Sequence, residues 1–389
     1  MATYNGEEFI HSQLESLAVQ SKLPSELIVS DDCSTDDTIS VVKKFIRHSP
    51  FPVHIIQNRY NKGYRQNFVD AMMHCTSNLI AFCDQDDVWH KDKLRLVSEA
   101  FTEEAIMLVH HNARVVDSIG NLIDVLWPKD SVPYAGDLLT TGPWSFSLGF
   151  TQVFRSDLLW FRYLWDRSMD WNFPNERLAH DQWVFFLSSV FGKIAYVDQE
   201  LVDYRQHDHN LYGARWLVDG RKNNGTRSTS WLESLPYILK EDGTRFFMRA
   251  NAADNIVRIL NNVVKERVYL STIRERAGVA LSQYSTLAER FYLRARIYQR
   301  ADFIGRVVAW LKLIQVNGYR LDRLWWFSVE AAARDALIGV LLGPRVRMVK
   351  SGFYKFCSLA IQLPFILGSS YDRVSSGIAR ARRSARRRW

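Results

Sequence analysis

The run NLIAFCDQDDVW (Asn78–Trp89) sets a short apolar, strand-like segment directly against three carboxylates, Asp84, Asp86 and Asp87. Acids this close repel one another and raise their own pKa values unless a cation sits among them. Oxygen-only ligands at a strand end favour Mg²⁺ or Mn²⁺, which are commonly held by one or two carboxylates together with substrate phosphates. Taken singly, the same acids read as a polar turn capping the next helix. Their neighbours in sequence decide between the two readings.

Upstream, helical and strand-like runs alternate at short intervals. Ile10, Leu14, Leu17 and Ala18 fall at helical spacing, Pro24 punctuates, and ELIVS (Glu26–Ser30) reads as a buried strand. A second helix follows, with Ser34 as its cap, Asp36 and Asp37 in its first turn, and Ile39, Val42, Phe45 and Ile46 as its buried stripe. VHIIQN (Val53–Asn58) is strand-like, and NKGYRQNFVDAMM (Asn61–Met73) is a turn running into a helix. Downstream, IMLVHHNARVVD (Ile106–Asp117) and GKIAYVDQELVDYRQH (Gly192–His207) are strand-like, and HDQWVFFLSSVF (His180–Phe191) is helical. This alternation predicts an α/β fold, a mostly parallel sheet with helices on both faces and with ligands gathered at the carboxyl ends of its strands.

In such a sheet, VSDDCSTDDT (Val29–Thr38) places Asp31 and Asp32 at the same edge as the acidic run. The turn after a third strand brings Asn61, Gly63, Arg65 and Asn67 to that edge. Together they outline a pocket with hydrogen-bonding groups for a base and ribose, a basic residue, and a metal site for a diphosphate.

ATYNGEEF, VSDDCSTDDT, NKGYRQN, DQDDVW, HDQW and LVDYRQH stand in this order along the first 210 residues. The ordered set resembles a family 2 glycosyltransferase with the GT-A fold, and the DQDDVW form is similar to bacterial rhamnosyltransferases and other builders of surface polysaccharide. The resemblance implies that Thr3, Tyr4, Asn5 and Glu7 form the first nucleotide-contacting loop, with Asp31 and Asp32 near the base and ribose. It adds Asn61, Gly63, Arg65, Asn67, Asp84 and Gln85 to the nucleotide-sugar contacts. It makes Asp84 and Asp86 the D-x-D pair, with Asp86 or Asp87 in direct contact with Mn²⁺ or Mg²⁺ and His207 nearby. Asp181 in HDQW matches the catalytic base. The chemistry asks for the same groups: a leaving diphosphate needs its charge neutralised, and an acceptor hydroxyl must lose its proton. The expected reaction is a single inverting displacement. The bland readings are a first-turn acid for Asp181, a structural hydrogen-bonder for His207, and packing for Trp89 and Trp183.

Other classes fit less well. A sugar-nucleotide-forming nucleotidyltransferase would want a G-x-G-T-R loop, and a dinucleotide dehydrogenase a G-x-G-x-x-G turn; neither motif is present. A non-catalytic nucleotide-sugar-binding or scaffold protein is the alternative, opposed by the acids at 84, 86 and 181.

The chain has 389 residues, 47% apolar and 24% charged, a composition of folded proteins. Its charge of +8 includes six arginines in RARRSARRRW (residues 380–389), leaving +2 for the rest, so nucleic acid is not the expected partner. Cys33, Cys75, Cys83 and Cys357 have neither metal nor redox spacing, and no signal peptide precedes the first motif, so a reducing cytoplasm is expected. Asn224-Gly225-Thr226 matches a glycosylation acceptor only by chance in that compartment. The expected organisation is a catalytic domain over 1–210, a linker over 211–245, and a helical region with a basic tail over 246–389. Phe353–Tyr371 is its most apolar window, interrupted by Lys355, Gln362 and Pro364. It reads as a packed or membrane-interfacial helix at the inner face of the membrane, near a saccharide or lipid-linked acceptor. The donor is expected to be a nucleotide-diphosphate sugar, dTDP-rhamnose or a UDP-sugar among them. Two departures stand out. ATYNG should follow a central strand, which predicts a chain lacking that strand and a true start further upstream, and Cys33 occupies a turn position where glycine is usual.

Overall fold

The computed structural model describes residues 1–128, 135–208, 210, 242–319 and 331–342. The expected linker, the apolar window at 353–371 and the basic tail lie outside the described residues, apart from 242–245. The chain divides into two compact units, Met1–Thr226 with Met248–Glu289, and Arg227–Phe247 with Arg290–Trp389.

In the first unit, β1 (Ala2–Thr3), β2 (Leu27–Asp31) and β3 (Val53–Gln57) form a parallel sheet in the order β1-β2-β3. At the place of the expected first strand, β1 is two residues long. Ala2 and Thr3 pair with Ser30 and Asp31, the Met1 amino group donates to the Ile28 carbonyl at 2.7 Å, and Ser30 N–H donates to the Met1 carbonyl at 2.9 Å. Two residues serve as a strand because β2 supplies main-chain partners for them and for Met1.

The second sheet contains β4 (Leu79–Ala81), β5 (Val88–Trp89), β6 (Ile106–Val116), β7 (Leu122–Val125), β8 (Val153–Arg155) and β9 (Lys193–Arg205). Its order is β4-β8-β6-β9-β5, with β7 beside β6. Only the β6–β9 pairing is parallel; β4–β8, β6–β8, β6–β7 and β5–β9 are antiparallel. The mostly parallel expectation thus holds for the first sheet and is corrected for the second, where β5, β7 and β8 are too short to announce themselves by pattern and fill in as antiparallel neighbours of the long β6 and β9. Between β2 and β4 lies a mainly apolar cleft of about 230 Å³, lined by Met1, Ile28, Phe68, Met72, Ile80 and Cys83 among others.

Helices α1 (Ile10–Ala18), α2 (Thr38–Ile46), α3 (Tyr64–Met72) and α4 (Lys93–Glu99) alternate with the early strands. Ile10, Leu14 and Leu17 of α1 and Val42 and Phe45 of α2 meet Leu27 and Val29 in one core that extends to Ala113, Val115 and Val202. α2 starts at Thr38, later than the sequence suggested, because Ser34 gives its hydroxyl to Asp31 and Asp36 takes the Thr38 N–H and hydroxyl. Short α5 (Leu138–Thr141) and α6 (Arg162–Trp165) precede the buried α7 (His180–Phe191).

Beyond residue 243 the described chain is helical apart from short connections: α8 (Thr244–Lys265), α9 (Ser271–Gln299), α10 (Phe303–Gln315) and a π-helical stretch, Asp335–Leu342. The second unit has its own core of Phe246, Ile297, Tyr298, Leu313 and Ile338. Buried Asp335 accepts from Arg294, Tyr298 and Tyr319 there. Among the described residues, no helix is long and apolar enough to cross a membrane.

Candidate active site

The loops after β1 and β2 are laced together atom by atom. Thr3 Oγ1 donates to Asp31 Oδ1 at 2.9 Å, and Asn5 N–H donates to Ser34 Oγ at 2.9 Å. Thr35 N–H returns a bond to Asn5 Oδ1 at 2.9 Å, and Gly6 N–H reaches Thr38 Oγ1 at 2.8 Å. Glu7 and Asp37 close the seam: Glu7 N–H donates to Asp36 and Asp37 N–H to Glu7. Asn5 (φ 46°) and Cys33 (φ 67°) hold left-handed backbone at the two turns, an easy conformation for Asn and a costly one for Cys.

Asp32 fastens the third loop. It accepts from Lys62 N–H and Gly63 N–H, both at 2.8 Å, and from Asn58 Nδ2 at 3.0 Å. Gly63 sits at φ +82°, which only glycine adopts at little cost, and Asn61 Oδ1 accepts its N–H as well. Asn67 is a buried hub that bonds Ser30 through both main chain and side chain. Asp31, Asp32 and Asn67 are therefore buried braces of the loops, whereas Tyr4, Asn5, Glu7 and Asn61 remain exposed. Arg65, expected as the pocket's basic residue, is buried; it donates to Asp170 at 2.9 Å and to the Arg177 carbonyl, tying α3 to the segment before α7.

The acidic loop docks on the first loop through Gln85, which accepts from Tyr4 N–H at 2.9 Å and donates to the Tyr4 carbonyl at 3.0 Å. Gly6 makes room for this clasp, since a Cβ there would lie 2.2 Å from Gln85 Oε1. Burial, and then the charges of Asp86 and Asp181, push the Asp84 carboxyl up to about 7. Asp86 Oδ2 lies 3.0 Å from His207 Nε2, whose ring stacks on Phe9 at 4.4 Å, and Asn210 Nδ2 also reaches that oxygen. Asp87 turns into the core, where Oδ1 accepts from Arg205 N–H at 3.2 Å; burial and its acidic neighbours hold its carboxyl well above the usual range.

Asp181 occupies the first turn of α7 and is buried, which raises its carboxyl to about 6. The N–H groups of Gln182 and Gly149 oppose the rise. The preceding His180 stacks on Phe68 at 3.9 Å and meets Phe82 edge-on, and burial drives its ring down to about 3, so it is neutral. The structure thus brings Asp84, Asp86, Asp181 and His207 into one electrostatic neighbourhood.

Among the described residues, no group of three or more His, Cys, Asp and Glu could hold a metal ion unaided. The donors present are the Asp84 and Asp86 carboxylates, with His207 bonded to the latter. A pair of crowded carboxylates with one pKa displaced upward fits Mg²⁺ or Mn²⁺, whose remaining ligands are water and substrate phosphates, and does not fit a closed zinc site.

The sequence did not reveal Lys93. This fully buried residue donates from Nζ to the Phe150 carbonyl at 2.7 Å and sits 3.4 Å from the Trp89 ring centroid. Phe150 belongs to the 3-10 turn Gly149–Thr151, whose Gly149 bonds Asp181 through its main chain and where a Cβ would lie 2.6 Å from His180 Nε2. One signal was available: a lysine opening a helix, where the dipole disfavours a cation, needs another reason to be there.

Residues 1–160 match the sequence profile described as glycosyl transferase family 2. The dTDP-rhamnosyl transferase RfbG of Shigella flexneri is 27% identical over 224 residues, which cover 55% of this chain and 74% of the relative. The Bacillus subtilis glycosyltransferase TuaG, named for teichuronic acid biosynthesis, is 30% identical over 269 residues, covering 68% of this chain and 95% of its own length. Among solved structures, S. aureus TarS 1–349 in complex with UDP-GlcNAc aligns with a TM-score of 0.47 at 17% identity, over 91% of this chain and 90% of that one.

Proposed function

Because this chain belongs to glycosyl transferase family 2, we propose that it moves a sugar from a nucleoside-diphosphate sugar to an acceptor hydroxyl by a single inverting displacement during assembly of a bacterial surface polysaccharide. The protein is a glycosyltransferase with a GT-A-type α/β fold. Exposed Tyr4, Asn5, Glu7 and Asn61 face the nucleotide in this reading, and Asp31, Asp32 and Asn67 hold the loops that present them. Arg65 anchors the approach to α7 through Asp170.

Asp84 and Asp86 would hold the divalent cation, with His207 orienting Asp86. When bound, the cation neutralises charge on the leaving diphosphate. Asp87 serves as a buried support of the loop. Asp181 accepts the proton of the acceptor hydroxyl as its oxygen bonds to the anomeric carbon; the carbon–oxygen bond to the diphosphate breaks and the electron pair leaves with the nucleotide. A carboxyl near 6 is ionised at neutral pH yet basic enough for this work.

The observation that carries the proposal is the burial of Asp84 beside the charges of Asp86 and Asp181, which raises its carboxyl and puts the cation pair and the base within one field. RfbG supports a deoxythymidine nucleotide among the candidates for the donor. The test is thermal stability of the purified chain with UDP, dTDP and GDP, each with and without Mn²⁺, beside Asp86→Ala. A shift for one nucleotide that requires both Mn²⁺ and Asp86 is expected. A shift that persists without the metal, or in Asp86→Ala, would overturn the metal assignment.

A further inference from the structure

α10 is apolar on two sides. Ala309 and Leu313, with half-buried Trp310, join the core of the second unit. On the other side Phe303, Ile304, Val308, Leu311 and Ile314 are 51%, 75%, 44%, 53% and 43% exposed. At roughly 100° per residue these five span one arc of about 140°, which also holds Gln315 and Val307, the latter packed on the core of the second unit, and is bordered by Lys312. Leu337 and Leu341, on the π-helical stretch packed against α10, are exposed as well. A helix apolar on both faces requires a cover on both.

Charge identifies the cover. Residues 290–389 hold 20 Lys and Arg against five Asp and Glu, a net +15. The whole chain carries +8, so residues 1–289 carry −7. α10 itself presents Lys312 at the border of the arc, while Arg306 is buried on the Val340, Arg300 and Ala301 carbonyls. An apolar arc on a basic part of the chain suits the interface of an anionic bilayer, where the arc enters the headgroup boundary and exposed cations gain roughly 1 kcal/mol each near the surface. A nucleic acid would satisfy the charge and leave the arc wet. A second copy would bring +15 against +15, and an internal cover such as Phe353–Tyr371 would leave the cations without a counter-charge.

We propose that the outer face of α10, from Phe303 to Ile314, docks on an anionic lipid surface. The proposal does not depend on the catalytic assignment, and its test uses no nucleotide. The full chain is co-sedimented with phosphatidylcholine vesicles with and without phosphatidylglycerol, and hydrogen exchange is measured on the bound protein. Expected are binding only with phosphatidylglycerol, weakening with salt, and slowed exchange over 303–315. The double variant Ile304→Glu/Leu311→Glu should lower partitioning about tenfold or more, since each apolar side chain contributes on the order of 1.5 kcal/mol. Absence of wild-type binding overturns the proposal. So does binding with exchange over 303–315 unchanged, or equal binding by the double variant, which would credit the basic tail alone. A wild-type dimer in light scattering that the double variant dissolves would assign the face to a second copy instead. If the double variant misfolds by circular dichroism, the exchange pattern of the wild type decides.

Discussion

Burial holds the Asp181 carboxyl at about 6, above the ordinary 3.8, so the folded state binds that proton more tightly than the unfolded chain does. The resulting stability is fully present below 3.8 and is lost as pH rises through about 6. At pH 7 the native protein therefore carries an ionised carboxylate that weakens it, on the order of 1–3 kcal/mol. Asp181→Asn is expected to raise the melting temperature by a few degrees at neutral pH while lowering kcat by about 10²–10⁴. Calorimetry and initial rates check both, and a variant that loses stability along with activity would count against the base. In the wild type, kcat/KM should fall as pH drops through about 6. Cys33 offers a second residue-scale test. Its left-handed backbone costs roughly 1–2 kcal/mol relative to glycine, partly offset by glycine's greater freedom when unfolded. Urea unfolding of Cys33→Gly should show a gain of up to about 1 kcal/mol, and Cys33→Val a loss.

The turn Gly149–Thr151 receives the buried Lys93 amine, whose pKa burial lowers to about 7, and bonds the base Asp181 through Gly149. Replacing Lys93 with Met keeps the length and the packing on Trp89 but removes the bond to the Phe150 carbonyl. The expected result is a kcat lower by about tenfold with the donor KM within about twofold, because the turn positions Asp181 and leaves the nucleotide loops untouched. A matching rise in KM would argue for a merely structural lysine. Elements of this kind mark the boundary of what the sequence discloses. α1, α3, α7, β2, β6 and β9 were readable because their apolar residues repeat over enough turns or pleats to fix a period. β5, β7 and β8 run for two to four residues and owe their existence to pairing with distant strands, so no local pattern could reveal them. The same division runs through the site. The positions of acids at strand ends and in the first turn of α7 could be read from local context. Lys93 with Phe150 and Arg65 with Asp170 depend on partners 57 and 105 residues away. Asp31 and Asp32 were expected as pocket residues; their employment as braces follows from hydroxyl and amide donors on neighbouring loops.

At the scale of the molecule, alternation of helices and strands was enough for the α/β class and for loops gathering at strand ends. It could not show that the strands divide into a parallel sheet of three and a mixed sheet of six, because strand direction in the second is set by which short edges remain to be paired. Where the sheets approach each other, no ladder of main-chain bonds joins β2 to β4; the cleft of about 230 Å³ lies there, with the Gln85–Tyr4 clasp among the bonds that cross between the sheets. Hydrostatic pressure acts on such an imperfectly packed apolar seam where heat and denaturant do not discriminate, since exposing its walls on unfolding shrinks the system. The volume change on unfolding should be negative, within the usual range of about −20 to −100 mL/mol. Compression followed by tryptophan emission should unfold the protein at a lower midpoint than its thermal stability would suggest, and Ala71→Leu, which adds bulk at the cleft wall, should raise that midpoint. In this chain the barostat therefore reads a part of the fold that the thermometer averages away.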